Sequence, residues 1–203
     1  MTIRAVLFDM DGTITRPWFD FARIRAEIGV AEPLLENLLA LPSGPQRDRG
    51  FEILARYERD AIAASELNDG ARETVEWLRA NGRPCALITR NSRWSALATI
   101  EKHGLAFDVV MTRDDGPPKP RPEPIWTICE RLGLPPGDAL LVGDYKYDVL
   151  AGKKAGTRTA LLTNGTKPKY LEEIRPDYVI ERLLALKGIP ELSAPIISAP
   201  RRR

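Results

Sequence analysis

The sequence predicts an α/β fold with a doubly wound parallel sheet and a small α-helical cap. Short apolar runs alternate with segments of helical periodicity over residues 66–187, and a further apolar run lies at residues 5–8. Strands that are buried on both faces and separated by helices are typical of parallel sheets. Residues 16–65 carry helical patterns but no strand pattern. We therefore predict a core domain of residues 1–15 and 66–187, a helical cap of residues 16–65 and a tail of residues 188–203.

The first apolar run predicts a buried strand because it is too short for an ordinary helix. Asp9 and Asp11 follow it directly. Residues i and i+2 of an extended chain point the same way, so both carboxylates are expected to face one site, where their repulsion would call for a cation or a proton between them. Gly12 then allows a sharp turn. Taken alone, the pattern also fits a plain Asp-Gly turn after a core strand.

The cap is predicted to contain three helices. Asp20 is a suitable N-cap for the first helix, and Gly29 is suited to its C-terminal end. Pro33 suits the first turn of the second helix, which carries a leucine stripe and ends before Pro42. The third helix is predicted over residues 46–64.

The rest of the sheet follows from the alternation of patterns downstream of the cap. Strands are predicted over residues 85–89, 107–111, 139–142, 158–162 and 178–180, the last at a sheet edge. Helices are predicted over residues 71–80, 92–103, 124–133 and 181–186. A further helix is predicted after the turn at residues 143–144, and it ends at about residue 155. Ligands of such sheets bind beyond the C-terminal ends of the strands. Polar side chains at those ends are therefore the candidate site residues.

Composition and charge argue against several classes of function. The 30 basic and 28 acidic residues nearly balance at a net charge of +2, which disfavours nucleic acid as the main partner. No apolar run approaches the roughly 20 residues of a membrane span, and the early Asp pair interrupts any signal-peptide core. Cys85 and Cys129 are expected to be buried, reduced thiols, which favours a cytoplasmic location. His103, the only histidine, is expected to be structural, near a helix C-terminus, which leaves little basis for a Ser-His-Asp or Cys-His mechanism.

The ends of four predicted strands carry groups suited to phosphoryl transfer. These groups are Asp9, Asp11, Thr89, Lys119, Asp144 and Asp148. Together they supply a carboxylate nucleophile, a metal site, a hydroxyl and a lysine. The sequence has no G-x-G-x-x-G segment and no P-loop, which disfavours nucleotide-binding folds of those kinds.

In this combination the sequence resembles the haloacid dehalogenase (HAD) superfamily, whose four motifs occur in order between about residues 5 and 162. The matching segments are Asp9-Met10-Asp11-Gly12-Thr13, Ile88-Thr89, Lys119-Pro120, and Val142-Gly143-Asp144 with Asp148. The insert after the first motif is similar to the small helical cap of the subgroup that includes phosphoglycolate phosphatase and β-phosphoglucomutase. The resemblance implies a Rossmann-like core beneath that cap.

The resemblance also implies a role for each matching residue. Asp9 would be the nucleophile that forms an aspartyl-phosphate, and Asp11 would protonate the leaving oxygen and then activate water. Thr89 and Lys119 would hold the phosphoryl oxygens. Mg²⁺ would be bound by Asp9, the backbone carbonyl of Asp11, and Asp144. Asp148 would support the water shell of the metal or orient Lys119.

The implied activity is that of a Mg²⁺-dependent phosphatase acting on a small phosphorylated metabolite. An acid at position 11 fits a phosphatase better than a dehalogenase, which needs no proton for a departing halide. A phosphomutase would use the same residues. A phosphorylated signalling module shares the doubly wound fold, but receiver domains accept phosphate in the middle of the chain and lack a helical insert after the first strand.

Several residues near the motifs have open roles. We expect Arg90 either to contact an acidic part of the substrate or to be solvated or salt-bridged, and Asn91 is a further supporting residue. A cap arginine turned inward would favour a substrate with a second anionic group. Trp18 and Phe19 are expected to pack between cap and core, with gating of the site as the alternative. The remaining tryptophans are expected in the core or at an interface: Trp77, Trp94 and Trp126.

Overall fold

The computed structural model of this chain describes residues 2–193. Its strands are β1 (Ala5–Phe8), β2 (Cys85–Ile88), β3 (Val109–Met111), β4 (Ala139–Gly143), β5 (Arg158–Leu162) and β6 (Tyr178–Ile180). Within the described residues they form one parallel sheet in the order β3-β2-β1-β4-β5-β6. The predicted doubly wound parallel sheet is confirmed, and the predicted edge strand is β6. The strand order reverses between β1 and β4, which places the switch point at the end of β1.

Both faces of the sheet are covered, as the short apolar strands require. Val6 and Phe8 of β1 belong to one apolar cluster, and Ala5 and Leu7 belong to another on the opposite face. This division follows from the alternation of side chains along an extended strand. The central strand is therefore buried on both sides, and polar groups are confined to its ends.

The helices agree with the predicted pattern over most of the chain. They are α1 (Phe21–Ile28), α2 (Leu34–Ala40), α3 (Pro45–Ala64), α4 (Ala71–Ala80), α5 (Arg93–Lys102), α6 (Glu123–Leu132), α7 (Lys146–Ala155), α8 (Leu171–Ile174) and α9 (Pro190–Ser193). The helix predicted over residues 181–186 is instead a 3₁₀ helix, Leu183–Gly188, and another short 3₁₀ helix covers Pro136–Asp138.

Helices α1 to α3 form the cap around an apolar cluster of their own. Ile24, Leu38 and Leu54 are among its buried members. The Asp20 side chain accepts a hydrogen bond of 3.0 Å from the Arg23 backbone N–H, so it caps α1 as predicted. The chain enters and leaves the cap through two adjacent segments, since the Arg16 N–H donates to the Glu66 carbonyl at 2.9 Å.

The described end of the predicted tail packs on the core. Ile189 and Leu192 are buried in the main apolar cluster, and the Ile3 N–H donates to the Glu191 carbonyl at 3.1 Å. The basic segment Arg201–Arg203 lies outside the described residues. No helix within residues 2–193 has the length and apolarity needed to cross a membrane.

The cysteines and the histidine lie where the sequence predicted. Burial raises the pKa of Cys85 to about 12 and that of Cys129 to about 11, so both remain thiols at neutral pH. His103 follows the last residue of α5, and its Nε2 lies 2.9 Å from Ser65 Oγ. Burial lowers the pKa of His103.

Two of the three tryptophans that were predicted in the core or at an interface lie outside the core. Trp94 is 52% exposed and Trp126 is 46% exposed, whereas Trp77 is partly buried against the main apolar cluster. The aromatic side chains of Trp94 and Trp126 lie on the outer faces of α5 and α6, because Ala96 and Ile125 occupy the inward positions of those helices.

Candidate active site

The candidate site lies at the C-terminal ends of the central strands, where the sheet changes direction. Asp9 follows β1, and its backbone N–H donates to the Val142 carbonyl of β4 at 2.9 Å. Thr89 follows β2, and its N–H donates to the Met111 carbonyl of β3 at 2.9 Å. The parallel register thus holds both residues at the same edge of the sheet.

Lys119 is the centre of the charge arrangement. Its side chain is only 2% exposed, and its Nζ donates to Asp9 Oδ1 at 2.5 Å, to Asp148 Oδ1 at 2.6 Å and to the Ile88 carbonyl at 2.9 Å. An ammonium has three donors, so this set of acceptors satisfies it fully. Burial lowers the pKa of Lys119, but Asp148 and Asp9 outweigh it and raise the pKa overall. Lys119 therefore stays charged beside Asp9.

Asp144 lies close to Asp9 and Asp148. One carboxylate oxygen from each of the three residues lies within 4.8 Å of the others. Two glycines make room for this cluster. A Cβ on Gly12, whose φ is +85°, would come within 2.1 Å of Asp144 Oδ2, and a Cβ on Gly143 would come within 2.1 Å of Asp148 Cγ. Any other residue at these two positions would displace the carboxylates.

The carboxylate cluster has the character of a magnesium site. Burial, and then repulsion from neighbouring carboxylates, raises the pKa of Asp144. Burial also raises the pKa of Asp9, against the opposing charge of Lys119. Carboxylate oxygens are the ligands that Mg²⁺ prefers, and a cation between them would remove the repulsion. The donor set therefore fits the ion.

Asp11 faces a different partner from the other acids. Asn91 Nδ2 donates to Asp11 Oδ2 at 2.7 Å, and the Asn91 N–H donates to Thr89 Oγ1 at 3.1 Å. Burial, and then the Asp9 charge, raises the pKa of Asp11 to about 7. The Asp11 side chain is therefore an acid that can hold or release a proton near neutral pH. Asn91 orients it.

These residues line one cavity of about 280 Å³ between core and cap. The core contributes every candidate residue named above. The cap contributes Phe19, Phe21, Pro33, Leu34, Leu35 and Leu54, together with Arg25 and Glu32. Phe19 also packs against the apolar cluster of the cap, and Trp18 is 39% exposed beside it, with ring centroids 5.6 Å apart.

Arg90 forms a salt bridge, which was one of its two predicted roles. Its guanidinium donates to both carboxylate oxygens of Glu36 on α2, at 2.9 and 2.7 Å. It also donates to the Lys119 carbonyl and lies 5.1 Å from the centroid of the Tyr147 ring. Arg90 therefore joins the core to the cap at the edge of the cavity.

A second ion pair joins cap and core in the interior. Glu58 on α3 is fully buried, and it accepts hydrogen bonds from the Arg113 guanidinium, the Ser92 N–H and the Ser92 hydroxyl. Sequence reasoning did not single out Glu58 or Arg113. A signal was present, because Glu58 falls on the buried stripe of α3 between Leu54 and Ala61, where a lone charge requires a buried partner.

Comparisons with known proteins agree with this fold. Residues 3–156 match the family model of haloacid dehalogenase-like hydrolases. The pyrophosphatase PpaX of Halalkalibacterium halodurans is 30% identical over 96% of this chain and 100% of its own length. Phosphoglycolate phosphatase 1 of Pseudomonas aeruginosa is 29% identical over 96% of this chain and 82% of its own.

Solved structures have the same architecture. A hydrolase from Pseudomonas syringae superposes with a TM-score of 0.77 at 21% identity, over 93% of this chain and 98% of the other. The fold and the matched residues define a class of enzyme, the hydrolases. More specifically, the chain belongs to the haloacid dehalogenase-like hydrolase family, as the sequence motifs predicted.

Proposed function

We propose that the protein is a Mg²⁺-dependent phosphatase that hydrolyses a small phosphomonoester through an aspartyl-phosphate on Asp9. The observation that carries this proposal is the buried contact of Lys119 with Asp9 and Asp148, beside the carboxylate of Asp144. Relatives named as a pyrophosphatase and a phosphoglycolate phosphatase support the substrate class. We place the enzyme in the cytoplasm, in keeping with its two buried free thiols.

The proposed reaction begins with attack by Asp9. Lys119 holds Oδ1 of Asp9, which fixes the orientation of the carboxylate for attack on phosphorus. The bond from phosphorus to the ester oxygen breaks as the Asp9–phosphorus bond forms. The Lys119 charge and the Thr89 hydroxyl stabilise the phosphoryl oxygens.

Asp11 handles the proton in both halves of the reaction. With a pKa of about 7, its carboxyl group can donate a proton to the departing alkoxide. The resulting carboxylate then takes a proton from water, which attacks phosphorus and releases phosphate and free Asp9. Asn91 keeps the Asp11 side chain in place through the 2.7 Å hydrogen bond.

Asp9 and Asp144 would hold Mg²⁺, together with the Asp11 backbone carbonyl, and Asp148 would support its water shell while orienting Lys119. When bound, the ion would offset the repulsion between the attacking carboxylate and the anionic phosphoryl group.

The test is release of inorganic phosphate from a panel of phosphomonoesters by the purified full chain with Mg²⁺. A rapid acid quench during turnover should trap a phosphorylated protein. Hydroxylamine should remove the phosphoryl group from it, as it does from an acyl phosphate. Isomer formation without phosphate release would identify a mutase instead. A stable phosphorylated protein without turnover would identify a signalling module.

A further inference from the structure

We propose that the cavity selects phosphomonoesters whose alcohol part is apolar and ring-sized, in preference to substrates with a second anionic group. This inference rests on the proposed phosphatase function. It deepens that function by assigning the leaving-group subsite to the cap side of the cavity.

The wall of this subsite is apolar. Six cap residues that line the cavity have hydrocarbon or aromatic side chains: Phe19, Phe21, Pro33, Leu34, Leu35 and Leu54. The rings of Phe19 and Phe21 stack at a centroid distance of 5.5 Å and an angle of 29°, so they present one continuous aromatic surface. An apolar leaving group placed there loses its contact with water at no cost in hydrogen bonds.

Two of the three arginines that line the cavity form ion pairs with glutamates of the protein. Arg90 is neutralised by Glu36 through two hydrogen bonds, and Arg113 is neutralised by buried Glu58. Arg25 also lines the cavity, but Glu32 lines it with the opposite charge. A substrate carboxylate that moved from water to this wall would therefore lose its hydration without gaining an unpaired positive charge, and this desolvation is unfavourable.

A matched set of three esters separates the effect of an apolar ring on the substrate from the effect of a second anionic group. Ethyl phosphate is the reference, benzyl phosphate adds an apolar ring, and 2-phosphoglycolate adds a carboxylate; all three are esters of alkyl alcohols. We expect kcat/KM for benzyl phosphate to exceed that for ethyl phosphate by about 10- to 100-fold, as is usual for filling an apolar pocket. We expect 2-phosphoglycolate to be no better than ethyl phosphate. A tenfold preference for 2-phosphoglycolate over ethyl phosphate, or no gain from the ring, would overturn the inference.

Two variants test the assignment to the wall. Phe21 is 52% exposed, so Phe21→Ala should fold, and it should lower the benzyl-to-ethyl ratio by about 3- to 10-fold. Trp94→Ala removes an equally exposed aromatic side chain outside the cavity and should leave that ratio unchanged. Equal ratios in all three proteins would overturn the inference.

A third variant tests whether the ion pair with Glu36 keeps Arg90 from binding a substrate carboxylate. Glu36→Gln should free Arg90 to bind a substrate carboxylate, and so raise kcat/KM for 2-phosphoglycolate by about tenfold without a matching gain for benzyl phosphate. Arg25→Met tests the opposite case. If the wild-type protein prefers 2-phosphoglycolate over ethyl phosphate and Arg25→Met abolishes that preference, the cap carries an anion subsite and the inference is wrong.

Binding of uncleaved analogues separates this inference from the proposed function. Benzylphosphonate should bind the full chain with Mg²⁺ about tenfold or more tightly than ethylphosphonate, as measured by calorimetry. If the benzyl analogue binds tightly but no ester is hydrolysed, the proposed function fails and the apolar subsite stands. If the esters are hydrolysed and the two analogues bind equally, the subsite fails and the phosphatase stands.

Discussion

The two sides of the cavity differ in nearly every chemical respect. The core side holds four acids and a buried lysine close together. They lie in the segments that follow the strand ends, with Asp148 in the first turn of α7. The cap side is an apolar wall built from helices and their connections, with one residue of each charge. The difference agrees with our proposal that the core breaks the phosphorus–oxygen bond and that the cap recognises the leaving group.

The contacts that join the two sides also differ. The pair between Glu58 and Arg113 is buried, with side-chain exposures of 1% and 9%. The pair between Glu36 and Arg90 is accessible, with exposures of 35% and 25%. The first joins the cap to the core in the interior, and the second joins them beside the cavity, which Arg90 lines.

The largest effect is expected from removing the proposed nucleophile on the core side. Asp9→Asn should lower turnover by at least about 10⁴-fold, because an amide cannot attack phosphorus. The variant should keep its circular dichroism spectrum. Asp20→Asn is the matched control, since it makes the same charge change in the cap at a helix N-cap where Asn is equally suitable. Full activity in a folded Asp9→Asn protein would contradict the assignment.

Metal removal should be nearly as severe, because the core side depends on relief of carboxylate repulsion. Exhaustive chelation should stop phosphate release, and Mg²⁺ should restore it. Ca²⁺ should bind without supporting normal turnover, since its longer and more numerous ligands alter the geometry of attack. Mg²⁺ should also raise the thermal midpoint of the wild-type protein, but raise that of Asp144→Asn much less. Unchanged turnover after chelation would refute the metal site.

A change at Asp11 should cost less and depend on the substrate. Asp11→Asn should lower turnover of alkyl esters by about 10²- to 10⁴-fold, the usual contribution of general acid–base catalysis. With p-nitrophenyl phosphate the leaving group departs as the p-nitrophenolate anion and needs no proton, so the variant should still release one equivalent of p-nitrophenolate in a rapid burst and accumulate phosphorylated Asp9. Absence of that burst would argue against a proton-transfer role.

The smallest effects are expected at the contacts between cap and core. Glu58→Gln leaves the Arg113 charge buried without a partner, and it should destabilise the protein by about 3 kcal/mol. Glu36→Gln breaks the more exposed of the two pairs, and it should cost about 1 kcal/mol or less. Urea denaturation followed by circular dichroism compares the two variants. Equal losses would show that burial does not distinguish the two pairs.

Local patterns in the sequence determined most of the secondary structure. The apolar run before Asp9, the glycine after Asp11 and the caps of α1 and α5 each depend on neighbours within a few residues. Parallel strands then bring their C-terminal ends together wherever those residues lie in the chain. For this reason the amino-acid sequence alone is enough to propose Asp9, Asp11, Thr89, Lys119 and Asp144 as one site.

The cap side could be decided only by the tertiary structure. The sequence marks α1 to α3 as amphipathic helices, but it does not specify which residues meet the core once the helices pack. Arg90 is paired with an acid 54 residues away, and Phe21 is exposed to solvent yet lines the cavity. Contacts between distant segments depend on how the cap is oriented on the core. Helical periodicity shows which face of a helix is apolar, but it does not show which residues of another element that face meets. The proposed reaction chemistry could therefore be inferred from the sequence, whereas the surface that we propose selects the leaving group is defined only by the packing of the cap against the core.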